Sequence, residues 1–236
     1  MRVLITLGLA LITLTLNAQG TSAPVETELN KLIESANQAL NLKDYKNAFA
    51  SYSKAITLYE AKGETDAAIY YNAGYSASKA KLYDEAIPYF EKAIEMEYKE
   101  GDPYQQLSKI YTSKKDVEKS EEILLKGIAK YPNDNDLKTL MCNSQIKQGL
   151  AFYREGNKIK KAANESGMSQ TEPDAYTAEL EKANAEFSKS LPFFEKALEY
   201  DADNKNAIKA LINVYTSLDM NEQAEALKAK FGNTAE

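Results

Sequence analysis

Between Asp102 and Asp134, small and large side chains recur at the spacing of a helix face. Four of them stand at positions i, i+3, i+4 and i+7, and these are Tyr104, Leu107, Ser108 and Tyr111. A second set, again three to four residues apart, consists of Ser120, Leu124 and Gly127, and Pro132 closes the segment. Residues with this spacing share one helix face, so the segment predicts two amphipathic helices. The small residues let the two helices approach closely, and the large ones fill the seam between them.

The pattern recurs along the chain at a nearly constant period. The small residue early in each second helix aligns as Ala48, Ala86, Ser120, Ser190 and Ala224, with spacings of 38, 34, 70 and 34 residues. Four and seven residues further on, large and small side chains follow in each copy except the last. A terminal repeat is expected to depart from the pattern because one of its faces meets water. The sequence therefore predicts consecutive helix pairs that pack on their neighbours.

These motifs resemble the tetratricopeptide repeat, whose pattern runs large, Leu, small, aromatic, then small, large, small and Pro across two helices. The resemblance covers most of residues 28–231. It implies an all-α fold, a right-handed superhelical solenoid of antiparallel helix pairs with about five hairpins, the fourth elongated. The domain is expected to span 27–236, with hairpins at about 27–62, 66–98, 102–132, 135–200 and 205–231.

The 70-residue spacing between Ser120 and Ser190 nearly equals two repeats. A hidden repeat there would place Arg154, Lys158 and Lys161 in a helix seam, where three charges are costly to desolvate. We therefore predict one long hairpin instead. Its parts, in order, are a helix to about Asn164, a loop at Ser166–Pro173 and a return helix over Asp174–Tyr200.

An apolar run of fourteen residues, Val3–Leu16, follows a short positive start. A bilayer span needs about 20 such residues, so the run is typical of a secretory signal peptide. We expect the signal peptide at 1–18 and a linker at 19–26, with cleavage after Gly20 as the alternative to cleavage after Ala18. Leu-Asn-Ala followed by Gln resembles exported proteins of Gram-negative bacteria, which implies the periplasm or the cell envelope.

The composition argues against several classes of function. The net charge is −6, whereas a nucleic-acid binder needs a basic face. The chain has no histidine, the commonest general base and metal ligand, and Cys142 is its single cysteine. The turn Asp201–Asn206 opens like a calcium loop but lacks the glycine that such a loop has at its sixth place. We accordingly expect no catalytic residue, no metal site and no cofactor.

In the family that this chain resembles, the first helix of each pair lines a concave face on which ligands lie. The positions that correspond to this face, and that we expect to bind a partner, include Asn37, Asn41, Tyr71, Tyr75, Gln105 and Lys109. Asparagine and glutamine side chains both donate and accept, so they can clamp a peptide backbone without recognising its sequence.

One variant of the family grips the C-terminal carboxylate of chaperones with two asparagines and three basic residues. Asn37 and Asn72 match the two asparagines. The basic positions hold Ile33, Asp102 and Gln106, none of which is cationic. We therefore predict no binding of chaperone tails.

The resemblance implies a non-enzymatic exported scaffold that mediates protein–protein or peptide binding. The expected partner is a protein or peptide, with no nucleic acid and no stable membrane span after signal cleavage. Two alternatives stay open. The first alternative is a glycan- or solute-binding helper protein, with Tyr71, Tyr75 and Tyr153 as stacking platforms. The other alternative is a structural protein that self-associates through an uncapped end.

Overall fold

The structure, a computed structural model, describes residues 22–232, and every regular element in this range is a helix. The helices are α1 (Ser22–Asn41), α2 (Tyr45–Ala61), α3 (Ala67–Lys79), α4 (Tyr83–Glu95), α5 (Asp102–Ser113), α6 (Val117–Lys130), α7 (Asn135–Glu165), α8 (Met168–Thr171), α9 (Pro173–Tyr200), α10 (Lys205–Ser217) and α11 (Asn221–Phe231). The all-α class predicted from the sequence is confirmed.

The chain divides into two compact units, with the boundary after Tyr89 inside α4. In the first unit α1 packs on α2, and α2 packs on α3. The small residue Ala48 and its large neighbour Tyr52 are both completely buried. The ring of Tyr89 stands edge-on to Phe49 with centroids 5.7 Å apart, which joins the start of α4 to α2.

In the second unit, consecutive helices form the pairs α5–α6, α7–α9 and α10–α11. Neighbouring pairs also touch, since α6 packs on α7 and α9 packs on α10. The core around the long pair includes Cys142, Phe187 and Phe194, all with no exposed surface, and Leu211 from α10. Helices α7, α9 and α10 thus share one apolar interior.

Four short pairs turn through the same backbone geometry. A non-glycine residue at the turn adopts the left-handed region in each, with φ between 57° and 63°, and these residues are Lys43, Lys81, Lys115 and Asp219. The next residue's N–H donates to a carbonyl five residues back, for example Asp116 to Tyr111 at 2.9 Å. This bond satisfies one of the carbonyls left over at the helix end. The turn therefore reverses the chain within a few residues, so that the second helix can pack against the first.

The fourth pair is elongated, as the sequence predicts. α7 has 31 residues and α9 has 28, against 12 and 14 for α5 and α6. Gly149 lies against Phe194, and Gly156 lies against Phe187, so the two helices run antiparallel. The predicted loop contains one extra helical turn, α8. Arg154, Lys158 and Lys161 are exposed rather than seated in a seam.

Helix α1 begins at Ser22, inside the segment 19–26 that the sequence predicts as a linker. Glu26 lies on this added helical turn and pairs with Lys62 just beyond the end of α2 at 3.0 Å. That contact ties the start of α1 to the neighbouring helix. The expected signal peptide at 1–18 lies outside the described residues.

Candidate binding groove

Asn37, expected to bind a partner, is held within the first unit. Its amide oxygen accepts a hydrogen bond from the Tyr52 hydroxyl at 2.6 Å. Burial raises the pKa of the Tyr52 phenol, and a hydrogen bond from Asn72 opposes that shift in part. Both asparagines that match the chaperone-clamp pattern therefore meet on one buried tyrosine and join α1, α2 and α3. Asn41 is exposed at the last position of α1.

The two tyrosines expected on the same face differ in exposure. Tyr71 is only 6% exposed, so its ring belongs to the interior. Tyr75 is half-buried and stands edge-on to Tyr45, with ring centroids 6.4 Å apart. The Lys79 ammonium lies 5.3 Å from the Tyr75 ring centroid, a distance at which a cation is attracted to the ring. Of the two, only Tyr75 offers surface to a ligand.

In the second unit, Gln105 is 7% exposed, whereas Lys109 is exposed one helical turn further along α5. Tyr153, one of the expected stacking platforms, leans on the Phe187 ring with centroids 5.5 Å apart. Its ring is half-buried by this contact. Lys109 lines one cavity, and Gln105 lines a second one whose walls are mostly acidic.

The cavity that Lys109 lines is a groove of about 520 Å³ between α5 and α7, with the start of α6 as its floor. From α5 and α6 it is lined by Ser108, Lys109, Thr112, Ser113, Val117 and Ser120. From α7 it is lined by Leu140, Asn143, Ser144, Lys147, Gln148 and Ala151. The spacing of the α7 residues, three to four apart, keeps them on one helix face.

The lining combines apolar and polar side chains. Val117, Leu140 and Ala151 supply apolar surface, while Asn143 and Gln148 supply amides that both donate and accept. Two of the lining residues, Lys109 and Lys147, are cations, and none of the twelve carries a carboxylate. The twelve lining residues therefore carry two positive charges and no negative charge, although the whole chain carries a net charge of −6.

The floor of the groove is fixed by a buried hydroxyl network. The Ser120 hydroxyl lies 2.9 Å from the Ser108 hydroxyl and 3.0 Å from the Thr112 hydroxyl. It also lies 3.1 Å from the Ser108 carbonyl oxygen. These bonds join α6 to α5 at the position where the sequence pattern calls for a small residue. A fully satisfied network of this kind holds its members in one geometry.

The α7 wall is positioned by a single carboxylate of α6. Glu121 Oε1 accepts hydrogen bonds from Ser144, Gln145 and Gln148, each at 2.7 Å. Hydrogen bonds to a charged acceptor are stronger than neutral ones, so this contact orients the three side chains. Because Ser144 and Gln148 line the groove, its wall is arranged before any ligand arrives.

The single cysteine, Cys142, lies in the core of the long pair and does not line the groove. Burial raises the pKa of the Cys142 thiol to about 11, and the charge of Asp201 acts in the same direction. The thiol therefore stays protonated at neutral pH, and a thiol is a poor nucleophile.

Within residues 22–232, no group of three or more His, Cys, Asp or Glu side chains is placed to hold a metal ion. No helix in that range is both long and apolar enough to cross a membrane.

Sequence reasoning found one wall of the groove and missed the other. Lys109 of α5 stands at a predicted face-lining position. Asn143, Lys147 and Ala151 went unassigned because the elongated pair interrupts the period. The signal that identifies them is their own spacing, four residues apart on the helix that follows Pro132.

Family models of the tetratricopeptide repeat match residues 33–62 and 77–141. A comparison with curated proteins gave no match. Among solved structures, a tetratricopeptide repeat protein from Bacteroides fragilis NCTC 9343 is 22% identical, with 80% of this chain and 98% of that chain covered and a TM-score of 0.45. YrrB, described as a tetratricopeptide repeat protein with an unusual peptide-binding site, is 20% identical, with 87% and 91% covered and a TM-score of 0.47.

The MamA protein is 14% identical, with 89% of this chain and 92% of that chain covered and a TM-score of 0.49. The two family matches fall on helices of the short pairs, α1–α2 and α5–α6 among them. In the α5–α6 pair the pattern residues Tyr104, Leu107, Ser108, Ser120 and Leu124 are buried, while the aromatic position Tyr111 is half-buried. Residues 33–62 and 77–141 of this chain are thus tetratricopeptide repeats.

Proposed function

We propose that this chain is an exported, non-enzymatic scaffold that binds an extended segment of a partner protein in the groove between α5 and α7. The observation that carries the proposal is the groove wall, where Glu121 holds Ser144 and Gln148 in place. A binding site arranged in advance loses less side-chain entropy when its ligand arrives.

An extended polypeptide suits the chemistry of this lining. Each of its residues presents one N–H donor and one C=O acceptor, and the amides of Asn143 and Gln148 can satisfy both. Its side chains can meet the apolar surface of Val117, Leu140 and Ala151. The volume of about 520 Å³ lies within the range of about 300–1,000 Å³ that is usual for ligand sites.

The glycan-binding alternative has weaker support. It depends on exposed aromatic faces, and of its three tyrosines Tyr71 is 6% exposed while Tyr153 is covered in part by Phe187. Sugar rings bind to aromatic platforms through a broad apolar face. Tyr75 alone gives such a ligand one half-buried ring.

The groove is tested by filling it. Ala151→Trp places a large ring inside the groove, while Ala185→Trp places the same ring on an exposed position of α9 away from it. Crosslinking in the native cell envelope, followed by mass spectrometry, identifies the proteins recovered with each variant. We expect the Ala151→Trp chain to lose the partner that the unaltered chain and the Ala185→Trp chain retain. Equal recovery by all three chains rules out the groove as the binding site.

Export is tested by the fate of the N-terminal segment. The proposal draws on the apolar run Val3–Leu16 and its short positive start. A full-length chain with a C-terminal epitope, expressed in a Gram-negative host, is expected in the fraction released by osmotic shock. Its N-terminal sequence is expected to start at Gln19, or at Thr21 if cleavage follows Gly20. An uncleaved chain in the cytoplasm contradicts export and leaves the groove assignment standing.

A further inference from the structure

The face of α7 that lines the groove continues beyond it as a row of cations. From Lys147 the same helix face carries Arg154, Lys158 and Lys161, at spacings of seven, four and three residues. All four side chains are exposed. We call these four residues the basic stripe. Three of them, Arg154, Lys158 and Lys161, are the residues whose charges exclude a hidden repeat between Ser120 and Ser190.

The stripe is poorly neutralised by the protein itself. Among the described residues, Lys147 and Arg154 form no ion pair, and neither does Lys109 on the opposite wall of the groove. Lys158 approaches Glu155 at 3.3 Å, and Lys161 approaches Glu165 at 3.7 Å. Both lysine side chains remain about three-quarters exposed, at 76% and 75%, and pairs so exposed are worth little.

The lysines on the other helix of the same hairpin behave differently. Lys182 and Lys189 of α9 pair with Glu179 and Glu186 at 2.6 and 2.5 Å. Lys196 continues this row at the same spacing of seven residues. The hairpin thus has two rows of basic residues. In the α9 row two of the three lysines form close ion pairs. In the basic stripe two of the four cations form pairs, and these are longer, at 3.3 and 3.7 Å.

Resting on the proposed function, we propose that the bound segment is acidic and runs from the groove along the basic stripe of α7. Negative side chains complement the five cations of this track, Lys109, Lys147, Arg154, Lys158 and Lys161. From Leu140 to Lys161 the track is 21 residues of helix, or about 31 Å at ~1.5 Å per residue. An extended chain covers that distance with about ten residues at ~3.3 Å each.

A polypeptide fits this track better than other polyanions. A nucleic-acid duplex or a membrane surface is too broad to enter a groove of about 520 Å³ between two helices. Either would also lie against the rest of a chain that carries a net charge of −6. An acidic segment needs only the groove and the one helix face.

The test uses a fluorescein-labelled decapeptide of alternating Glu and Ser, and the same peptide with Gln in place of Glu, with binding measured by anisotropy. The variant Arg154→Gln/Lys158→Gln/Lys161→Gln removes three charges from the stripe. The matched control, Lys182→Gln/Lys189→Gln/Lys196→Gln, removes three charges from the α9 row. We expect the stripe variant to weaken binding of the Glu peptide about tenfold and the control to change it less than twofold. Higher salt should weaken the Glu peptide alone.

Several outcomes overturn the inference while leaving the proposed function intact. One is that both peptides bind equally well and Ala151→Trp abolishes both, since the groove then binds a backbone without regard to charge. Another is that both charge variants weaken binding equally, because attraction is then non-specific. Absence of binding of the Glu peptide at millimolar concentration also overturns the inference.

Light scattering of the unliganded chains tests self-association. If the molar mass falls in the stripe variant and not in the control, the stripe serves self-association instead. Failure of the groove itself shows separately, as unchanged partner recovery by Ala151→Trp.

Discussion

In the α5–α6 pair, helices of 12 and 14 residues meet around a hydrogen-bonded serine, with Gly127 against the base of the Tyr104 side chain. In the α7–α9 pair, helices of 31 and 28 residues meet around two buried phenylalanine rings, each of which lies against a glycine. Ser120 and Ser190 hold the same position in the repeat. Ser120 bonds across the seam to Ser108 at 2.9 Å, while Ser190 bonds back to the Phe187 carbonyl of its own helix at 2.6 Å. One small residue links two helices, and the other links nothing across.

The long pair gains its contact from the rings instead. A Cβ atom at position 149 would lie 2.8 Å from the Phe194 ring, and one at position 156 would lie 2.6 Å from the Phe187 ring. Both rings are completely buried. Each ring fills the space that a side chain on the facing helix would occupy. The contact between α7 and α9 therefore continues wherever a small residue of one helix faces an aromatic residue of the other. A small residue in the repeat pattern therefore has two uses, a cross-helix bond or room for a ring.

Phe187→Ala tests the ring seam and should have the largest effect. Removing a fully buried ring should reduce the free energy of unfolding by about 3–5 kcal/mol. Denaturant unfolding measures the loss, and hydrogen exchange locates it, with protection falling in the outer halves of α7 and α9. Leu107→Ala, in the core of the α5–α6 pair, is the comparison. Equal loss of protection in both pairs after Phe187→Ala would contradict separate seams.

Gly156→Leu tests the glycine side of the same contact. A side chain there meets the Phe187 ring and also the Ala183 carbonyl oxygen, 3.0 Å from an added Cβ, and backbone does not move aside easily. We expect a destabilisation of roughly 3 kcal/mol from overpacking. Ala162→Leu, at an exposed position of α7, should change stability by less than about 0.5 kcal/mol. A stable Gly156→Leu protein in thermal unfolding would show that the ring tolerates displacement.

Ser120→Ala and Ser190→Ala form a matched pair at one repeat position. The first removes the bonds to Ser108 and Thr112 and leaves buried hydroxyls with fewer partners, at a cost of about 1–2 kcal/mol. The second removes a bond within one helix, and the change should stay within about 0.5 kcal/mol. Chemical denaturation of both proteins gives the difference. Equal losses would mean that the cross-helix bonds contribute nothing beyond burial.

Ser76→Ala extends the comparison to a serine without hydrogen bonds and should have the smallest effect. Ser76 is completely buried, and its hydroxyl forms no hydrogen bond with any described residue. Removing an unsatisfied polar atom should leave stability unchanged or raise it by up to about 1 kcal/mol. Thermal unfolding should therefore move in the opposite direction to Ser120→Ala. A clear destabilisation would indicate a bonding partner for this hydroxyl.

The periodic part of the sequence predicted the helix pairs well. The long hairpin was predicted to end its first helix near Asn164 and to return from Asp174, and the helices end at Glu165 and begin at Pro173. Charge made this possible, because Arg154, Lys158 and Lys161 exclude a seam at those positions. A helix face is a local property, so three-residue and four-residue spacing is enough to specify it.

The binding residues were harder to predict because exposure depends on neighbouring helices. Tyr71 and Gln105 stand on the expected faces of α3 and α5 but are 6% and 7% exposed. Asn37 is exposed, but its amide oxygen already accepts a hydrogen bond from the Tyr52 hydroxyl, 15 residues away in sequence. Nothing in the spacing of a helix reveals what the next helix places against it.

The sequence by itself determined which faces of the helices are apolar, where small residues permit close approach, and that three cations of α7 stay in water. Those properties follow from side-chain size and charge at fixed helical spacing. Only the tertiary structure decided which small residue bonds across a seam and which makes room for a ring. It alone also brought Lys109 and Lys147 to opposite walls of one groove. Contacts between helices depend on their relative position, and that position results from the packing of the whole unit rather than from any one segment.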